Sequence, residues 1–217
     1  RRVSVAADVI AAAVERDGVD VVVLTELSPD LESALLDRIG DEFVHRAGEA
    51  TDERNGLGVL SRLPLTDVAF GPYRTMPGIE VTVLPDGSTP IRVIGVHPVP
   101  GVEPEDLTRW HVDLEHIGDR ATAAGEPPTL VVGDFNASRW HPPFRRLLDR
   151  GLADAHEYLG KGLSSSWPVS WWRPRFVRLD HALVDERVAP VSVRDLVVPG
   201  SDHTGFVVTV AVSPTTP

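Results

Sequence analysis

The run Thr129-Leu-Val-Val-Gly-Asp-Phe-Asn-Ala137 places an aspartate, Asp134, and an asparagine, Asn136, at the end of a short apolar stretch. Leu130 to Val132 have the unbroken apolar character of a strand buried on both faces, and Gly133 interrupts it. A carboxylate that holds or activates water, beside an amide that donates to a phosphoryl oxygen, suits phosphate chemistry. A second polar pair, Asp202-His203, precedes the last apolar strand, and Glu26, His97 and Asp180 also fall at predicted strand ends. A hard divalent cation takes oxygen ligands and keeps several waters, so one or two carboxylates suffice, and Glu26 is the natural ligand. Such an ion polarises the scissile P–O bond and screens the growing charge. Asp134 would orient or deprotonate the attacking water, while His97, Asn136 and His203 donate to phosphoryl oxygens. His203 needs an acidic partner to fix its tautomer, and Asp180 in Arg178-Leu-Asp-His-Ala is the candidate.

These residues require a scaffold of strands whose ends converge. Val5 to Arg16 places Val5, Val9, Ile10, Ala13 and Val14 on one helical face, and Gly18 ends it. Val19 to Leu24 reads as a buried strand stopping at Thr25-Glu26. Ser28-Pro29-Asp30 opens a helix with an N-cap serine, a proline at the first helical position and an early acid. Asn55-Gly56 marks a turn before a strand at Leu57 to Ser61. Ile79, Val81 and Val83 alternate with polar residues, and Ile91 to Val96 returns as the hairpin partner ending at His97. Leu107, Trp110, Leu114, Ile117 and Ala121 form another helical stripe, and a short helix is expected around Phe144 to Leu148. The last strands are expected at Val177 to Val184, Val191 to Val198 and Phe206 to Val212. Hairpins mixed with helix crossovers predict sheets of mixed direction.

At 217 residues, 42% hydrophobic and 24% charged, the chain suits one soluble domain with a substantial core. The absence of cysteine excludes disulfides, thiolate metal sites and cysteine nucleophiles. A formal charge of −11 argues against tight nonspecific binding to duplex DNA, which needs a basic surface.

Singly, each site residue has an ordinary explanation. Glu26 reads equally as a solvated loop acid, His97 as a turn histidine, Asp180 as a solvent-facing strand residue and Asp202-His203 as turn chemistry. Their shared position at strand ends, in this order, is what argues for one site. The chain resembles the endonuclease/exonuclease/phosphatase superfamily over nearly its whole length. The resemblance rests on Leu24-Thr-Glu26, Gly58-Val-Leu-Ser-Arg62, Val96-His97, Gly133-Asp-Phe-Asn136, Leu179-Asp-His181 and Ser201-Asp-His203. It implies an α/β (α+β) fold, a four-layer α/β/β/α sandwich of two mixed sheets. It also implies Mg²⁺- or Mn²⁺-dependent cleavage of a phosphoester or pyrophosphate by direct attack of water. On that likeness Glu26 binds the metal with Asp202 beside it, and Asp134 aligns the nucleophile. Asn136 and His97 hold phosphate, and Asp180 supports His203. The catalytic domain is expected over residues 1–212, with a flexible tail at 213–217. The family's first strand normally ends in an asparagine just ahead of the first helix. Arg1-Arg2 stands essentially at that helix, so that strand is expected to lie upstream, because a sheet without it would expose a long unpaired edge.

The resemblance is closest to short bacterial members that follow membrane-spanning helices. A monomeric, extracytoplasmic domain of a membrane-anchored protein is therefore expected. Ser164 to Phe176 forms an aromatic and basic loop holding Trp167, Trp171, Trp172, Arg173 and Arg175, followed by Arg178. Trp167 and Arg178 are the candidate substrate contacts there. The loop either touches a lipid headgroup region or packs over the sheet edge. The favoured substrate is a lipid-linked phosphate. A nuclease of the same superfamily and a catalytically silent phospholigand-binding domain are the alternatives.

Overall fold

The computed structural model describes residues 2–73, 76–170 and 174–213 of the chain. In order the elements are α1 (Arg2–Asp17), β1 (Val21–Thr25), α2 (Pro29–Ile39), β2 (His45–Glu49), β3 (Leu57–Ser61), β4 (Leu65–Tyr73), β5 (Met76–Val83) and β6 (Ile91–Val96). There follow α3 (Pro104–Ala121), β7 (Thr129–Asp134), α4 (Pro142–Asp149), β8 (Ala153–Asp154), α5 (Ala155–Tyr158), β9 (Asp180–Val184), β10 (Val188–Val197) and β11 (Thr204–Val212). The expected helix start at Ser28 is present: its hydroxyl accepts from Leu31 N at 3.3 Å, with proline next. The tail beyond Ser213, and Trp171, Trp172 and Arg173, lie outside the described residues.

Three apolar cores separate four layers, giving the expected sandwich. The first, with Ala7, Ile10, Leu35 and Phe43 against Leu60, seats α1 and α2 on the outer face of the sheet β1-β3-β2. The second lies between sheets, where Leu57 and Val59 meet Ile79, Val81, Val93 and Val184. The third packs α3 and α4, through Trp110, Leu114, Phe144 and Leu147, on Ile94, Val131 and Leu183. The large sheet runs β4-β5-β6-β7-β9-β8 and is mixed, with β6 and β7 parallel and joined through α3. The facing layer is antiparallel: β1-β3-β2, together with the pair β10-β11, whose Phe206, Val208 and Val210 cover the same inter-sheet core. Among the described residues β1 pairs only with β3, and β11 only with β10.

The structure corrects several sequence expectations. Val5 and Leu107 are exposed, and the apolar face of α1 is instead Ala6, Ala7, Ile10, Ala13 and Val14. β9 begins at Asp180 rather than Val177, because residue 177 forms only an isolated bridge to Trp167. The polar residues alternating along β5 and β6 do not face water. Glu80 and Arg92 are buried under α3, where Arg120 also reaches the Glu80 carboxylate at 2.6 Å. Strands β2 and β4 have no counterpart in the sequence reading.

Candidate active site

Two close backbone approaches bring the site together. Gly133 has φ +148, and a Cβ there would sit 2.1 Å from the Val96 carbonyl oxygen, so only glycine lets β6 and β7 approach this way. That contact sets His97, the residue after β6, beside Asp134, the last residue of β7: His97 Nε2 is 3.9 Å from Asp134 Oδ2. Gly56 likewise admits the Leu27 carbonyl, which would stand 2.0 Å from a Cβ, while Leu27 N donates to Gly56 O at 3.0 Å. This clasp holds the loop that presents Glu26. Across the sheet Asp134 pairs in register with Asp180. The Ser166 hydroxyl fixes the start of β9 by accepting from Leu179 N at 2.9 Å and Asp180 N at 3.3 Å. His203, just ahead of β11, donates from Nδ1 to Asp180 Oδ2 at 2.8 Å and lies 3.7 Å from Asp134 Oδ2.

Two of these residues adopt left-handed backbone conformations, Glu26 at φ 52 and Asn136 at φ 47. Such a conformation costs about 1–2 kcal/mol for an ordinary residue and less for asparagine. The surrounding fold holds both, and strain of this kind collects at functional sites. The Asn136 backbone N donates to Asp134 Oδ1 at 2.7 Å, and its amide Nδ2 donates to Pro98 O at 3.0 Å. Asp134 Oδ1 is thus engaged, and Oδ2 is left facing the two histidines.

The charges are arranged under repulsion. Burial and the neighbouring Asp180 carboxylate push the Asp134 carboxyl up to about 7, against the pull of His203, with Glu26 adding to the rise. Burial alone would lower His203, but its hydrogen bond to Asp180 and the charges of Asp180 and Asp134 outweigh this and raise it to about 9. Burial, reinforced by the charge of His203, lowers His97 to about 4, so its ring is neutral, and its buried Nδ1 has no hydrogen-bond partner. Near neutral pH the site therefore combines a carboxyl poised to exchange a proton, an imidazolium and a neutral imidazole.

Glu26, Asp134, Asp202 and His203 line one cleft of about 290 Å³, together with the start of α1. Asp134, Asp180 and His203 offer ligand atoms within 4.8 Å of one another. Among the described residues the Glu26 carboxylate has no hydrogen bond. Crowded carboxylates whose repulsion lifts one of them toward neutrality suit a hard divalent cation, which takes oxygen ligands and would relieve that repulsion. Glu26, Asp134 and Asp180 are the residues that fit it, with Asp202 at the cleft wall.

The remaining predicted residues are placed as follows. Asp202 is exposed and accepts from Trp167 Nε1 at 3.4 Å, which brings the tryptophan to the cleft rim. Arg178 turns the other way. It is buried, and its guanidinium is committed to Ser164 Oγ, Asp195 and the Asp180 carbonyl, so it braces β9 from behind. Sequence reasoning missed Ser166, Gly56 as the clasp on Glu26, and Phe176, which meets Trp167 edge-on at 5.7 Å. The Asn55-Gly56 pair and the serine run at 164–166 were the available signals.

A family model described as Endonuclease/Exonuclease/phosphatase family matches residues 1–203. No curated protein matches the chain. Among solved structures, an endonuclease/exonuclease/phosphatase from Beutenbergia cavernae DSM 12333 superposes with a TM-score of 0.76 at 21% identity. The match covers 94% of this chain but only 65% of that one. TDP2 from D. rerio, complexed with single strand DNA product, gives a TM-score of 0.80 at 17% identity, covering 98% and 94% of the two chains. The 3′-5′ exonuclease NExo from Neisseria meningitidis gives 0.71 at 25% identity, covering 94% and 93%.

Proposed function

The chain belongs to the endonuclease/exonuclease/phosphatase family, whose members are metal-dependent phosphoester hydrolases, and we propose that it hydrolyses a phosphoester or pyrophosphate by direct attack of water. The observation that carries this reading is the position of Asp134 Oδ2, 3.7 Å from His203 Nδ1 and 3.9 Å from His97 Nε2. In the metal-free cleft the Asp134 carboxyl binds its proton more tightly than an ordinary carboxyl, and its Oδ2 is the oxygen left to hold the attacking water. Asp134 orients that water through Oδ2, while Asn136 N keeps Oδ1 in place. The His203 imidazolium, held by Asp180, faces the phosphoryl oxygens as their charge grows, and a charge-assisted donor already in position lowers the barrier without reorganisation. His97 contributes one neutral N–H, and the second N–H of the Asn136 amide supplies another. A bound Mg²⁺ or Mn²⁺ would supply Lewis-acid polarisation of the phosphoryl group, with Glu26 as the natural holder and Asp202 nearby.

A lipid-linked phosphate is the favoured substrate. Support comes from the aromatic rim beside Asp202, where Trp167 meets Phe176, itself 68% exposed, while the charge of −11 counts against tight binding to duplex DNA. Tryptophan suits the boundary between headgroups and water. The same reading puts the domain at a membrane surface; among the described residues no helix is long and apolar enough to cross one. A second reading, cleavage at a nucleic-acid end, is favoured by the 25% identity to the Neisseria exonuclease. The test is a panel of lipid diphosphates, nucleotides and oligonucleotides assayed with one preparation at two salt concentrations. Preferred turnover of lipid diphosphates supports the first reading. Preferred turnover of oligonucleotides, weakening steeply with salt, replaces it with the second.

A further inference from the structure

Asp180 and His181 are neighbours on β9, and successive side chains of a strand leave opposite faces of the sheet. Asp180 turns to the cleft, where it holds His203. His181 turns to the back and is 2% exposed, its ring 4.3 Å from that of Phe144 on α4 and 5.8 Å from that of Phe135. We infer that His181, steadied by Asp154, is a positioning residue: it fastens the turn that carries Asn136 to the strand that carries Asp180. The inference rests on the hydrolase reading for its effect on turnover, and on the contacts alone for the fastening itself.

The polar contacts of the ring decide which nitrogen does what. Nε2 stands 2.9 Å from the Ala137 carbonyl oxygen and 3.2 Å from that of Arg178. Neither oxygen has a proton to give, so Nε2 carries one and donates. Nδ1 stands 2.5 Å from Asp154 Oδ2. Asp154 is itself buried, and its Oδ1 accepts from His156 N at 2.7 Å and Glu157 N at 3.1 Å at the start of α5. Burial alone would raise the Asp154 carboxyl, but the hydrogen bond and charge of His181 outweigh this and hold it below the ordinary carboxylate range. The carboxylate is therefore fixed by the helix start, and it fixes the ring in turn, so that Nε2 stays aimed at Ala137 O. Core filling alone would be served by a third apolar ring, since a carboxylate behind a histidine is costly to bury without such contacts.

Asn136 lies between two ties to the same strand. Ahead of it Phe135 N donates to Leu179 O at 2.9 Å, and behind it Ala137 O accepts from His181. Between them Asn136 is held at φ 47, a conformation that an unconstrained residue seldom keeps. From there its backbone N engages Asp134 Oδ1 at 2.7 Å and leaves Oδ2 toward the histidines. Strand register puts the fastening directly behind this pair, with Gly133 opposite His181 and Asp134 opposite Asp180. Loss of the rear tie lets the Asn136 peptide relax toward an ordinary conformation, and Asp134 Oδ2 moves with it. A displacement of about 1 Å at reacting groups is enough to slow a reaction on the order of a hundredfold.

Replacing His181 by itself would strand the Asp154 carboxylate in the core, so the test is made in chains that also carry Asp154→Asn, whose amide oxygen still caps α5. In that background His181→Gln keeps an N–H for Ala137 O, His181→Asn keeps one for residue 154 only, and His181→Leu keeps neither. Phosphate release with Mn²⁺ and denaturant unfolding are measured on each, and the Asn136 side-chain amide is followed by NMR in EDTA. Relative to Asp154→Asn alone, His181→Asn and His181→Leu should lose about tenfold or more in kcat rather than in KM, and should shift the Asn136 amide signals. His181→Gln should restore both. If His181→Leu does not fold, the comparison of His181→Gln with His181→Asn decides. A merely structural histidine predicts lower stability with kcat and the Asn136 signals unchanged in every folded chain, and that result overturns the inference. A chain that hydrolyses phosphoesters without this pattern overturns the inference alone. One whose Asn136 signals follow the pattern, yet which releases no phosphate from any substrate, overturns the hydrolase reading alone.

Discussion

Replacing Asp134 by asparagine should make the metal-free protein more stable, and increasingly so as the pH rises. The Asp134 carboxyl is buried, and burial with the adjacent Asp180 charge lifts it from 3.8 to about 7. Each tenfold change in proton affinity corresponds to about 1.4 kcal/mol, so the ionised carboxylate costs the folded chain about 4 kcal/mol relative to the unfolded one. A group whose folded value lies above its unfolded value stabilises fully below the unfolded value, here 3.8, and that contribution is lost as the pH rises through about 7. Between about pH 5.5 and about pH 8 the wild type therefore loses about 2 kcal/mol from this group, and asparagine, which never ionises, loses none. Asparagine keeps the acceptor that Asn136 N requires, so the fold itself is spared. Urea unfolding in EDTA at the two pH values reads the difference directly. If the two stabilities run parallel across pH, or if the variant falls behind as pH rises, Asp134 is not the strained carboxyl described above. The same variant should lose nearly all turnover, because the oxygen that orients water is gone.

Further outcomes follow from individual contacts. His203→Ala should reduce turnover by roughly two or more orders of magnitude, the scale for losing a positioned acid or oxyanion donor, as read by steady-state kinetics. Stabilisation of the folded chain by Mn²⁺ should grow as pH rises through about 7, since the ion displaces the Asp134 proton; thermal unfolding with and without Mn²⁺ measures it, and a pH-independent effect contradicts it. Glu26→Gln should weaken Mn²⁺ binding about tenfold or more while leaving apo stability nearly unchanged, by titration calorimetry. Ser166→Ala should cost about 1–3 kcal/mol of stability, because two backbone donors at the start of β9 lose their acceptor; denaturant unfolding tests it.

The chemistry was legible in the chain wherever it sat in a local pattern. Gly133-Asp-Phe-Asn136 announces a strand end because glycine breaks an apolar run, and the structure puts a side-chain-free close approach there. Ser28-Pro29 announces α2 for equally local reasons. What could not be read is set by distant partners. β2, His45–Glu49, is a strand only because β3 pairs with it, and its own composition has no apolar alternation. The polar positions of β5 look solvent-facing until α3 covers them and Arg92 and Arg120 meet Glu80. The bond between Trp167 and Asp202 spans 35 positions, and Arg178 looks like a substrate contact until Asp195 claims its guanidinium. The left-handed conformations of Glu26 and Asn136 are also tertiary facts: neither residue type demands them.

Release of phosphate with Mg²⁺ or Mn²⁺ present, after EDTA, and after the ion is restored bears most directly on the cleft shared by Glu26, Asp134 and His203. Turnover should vanish in EDTA, return with either ion, and stay absent in Asp134→Asn under every condition. Turnover that continues unchanged in EDTA, or in the Asp134→Asn chain, would contradict a cation-assisted attack of water at this cleft.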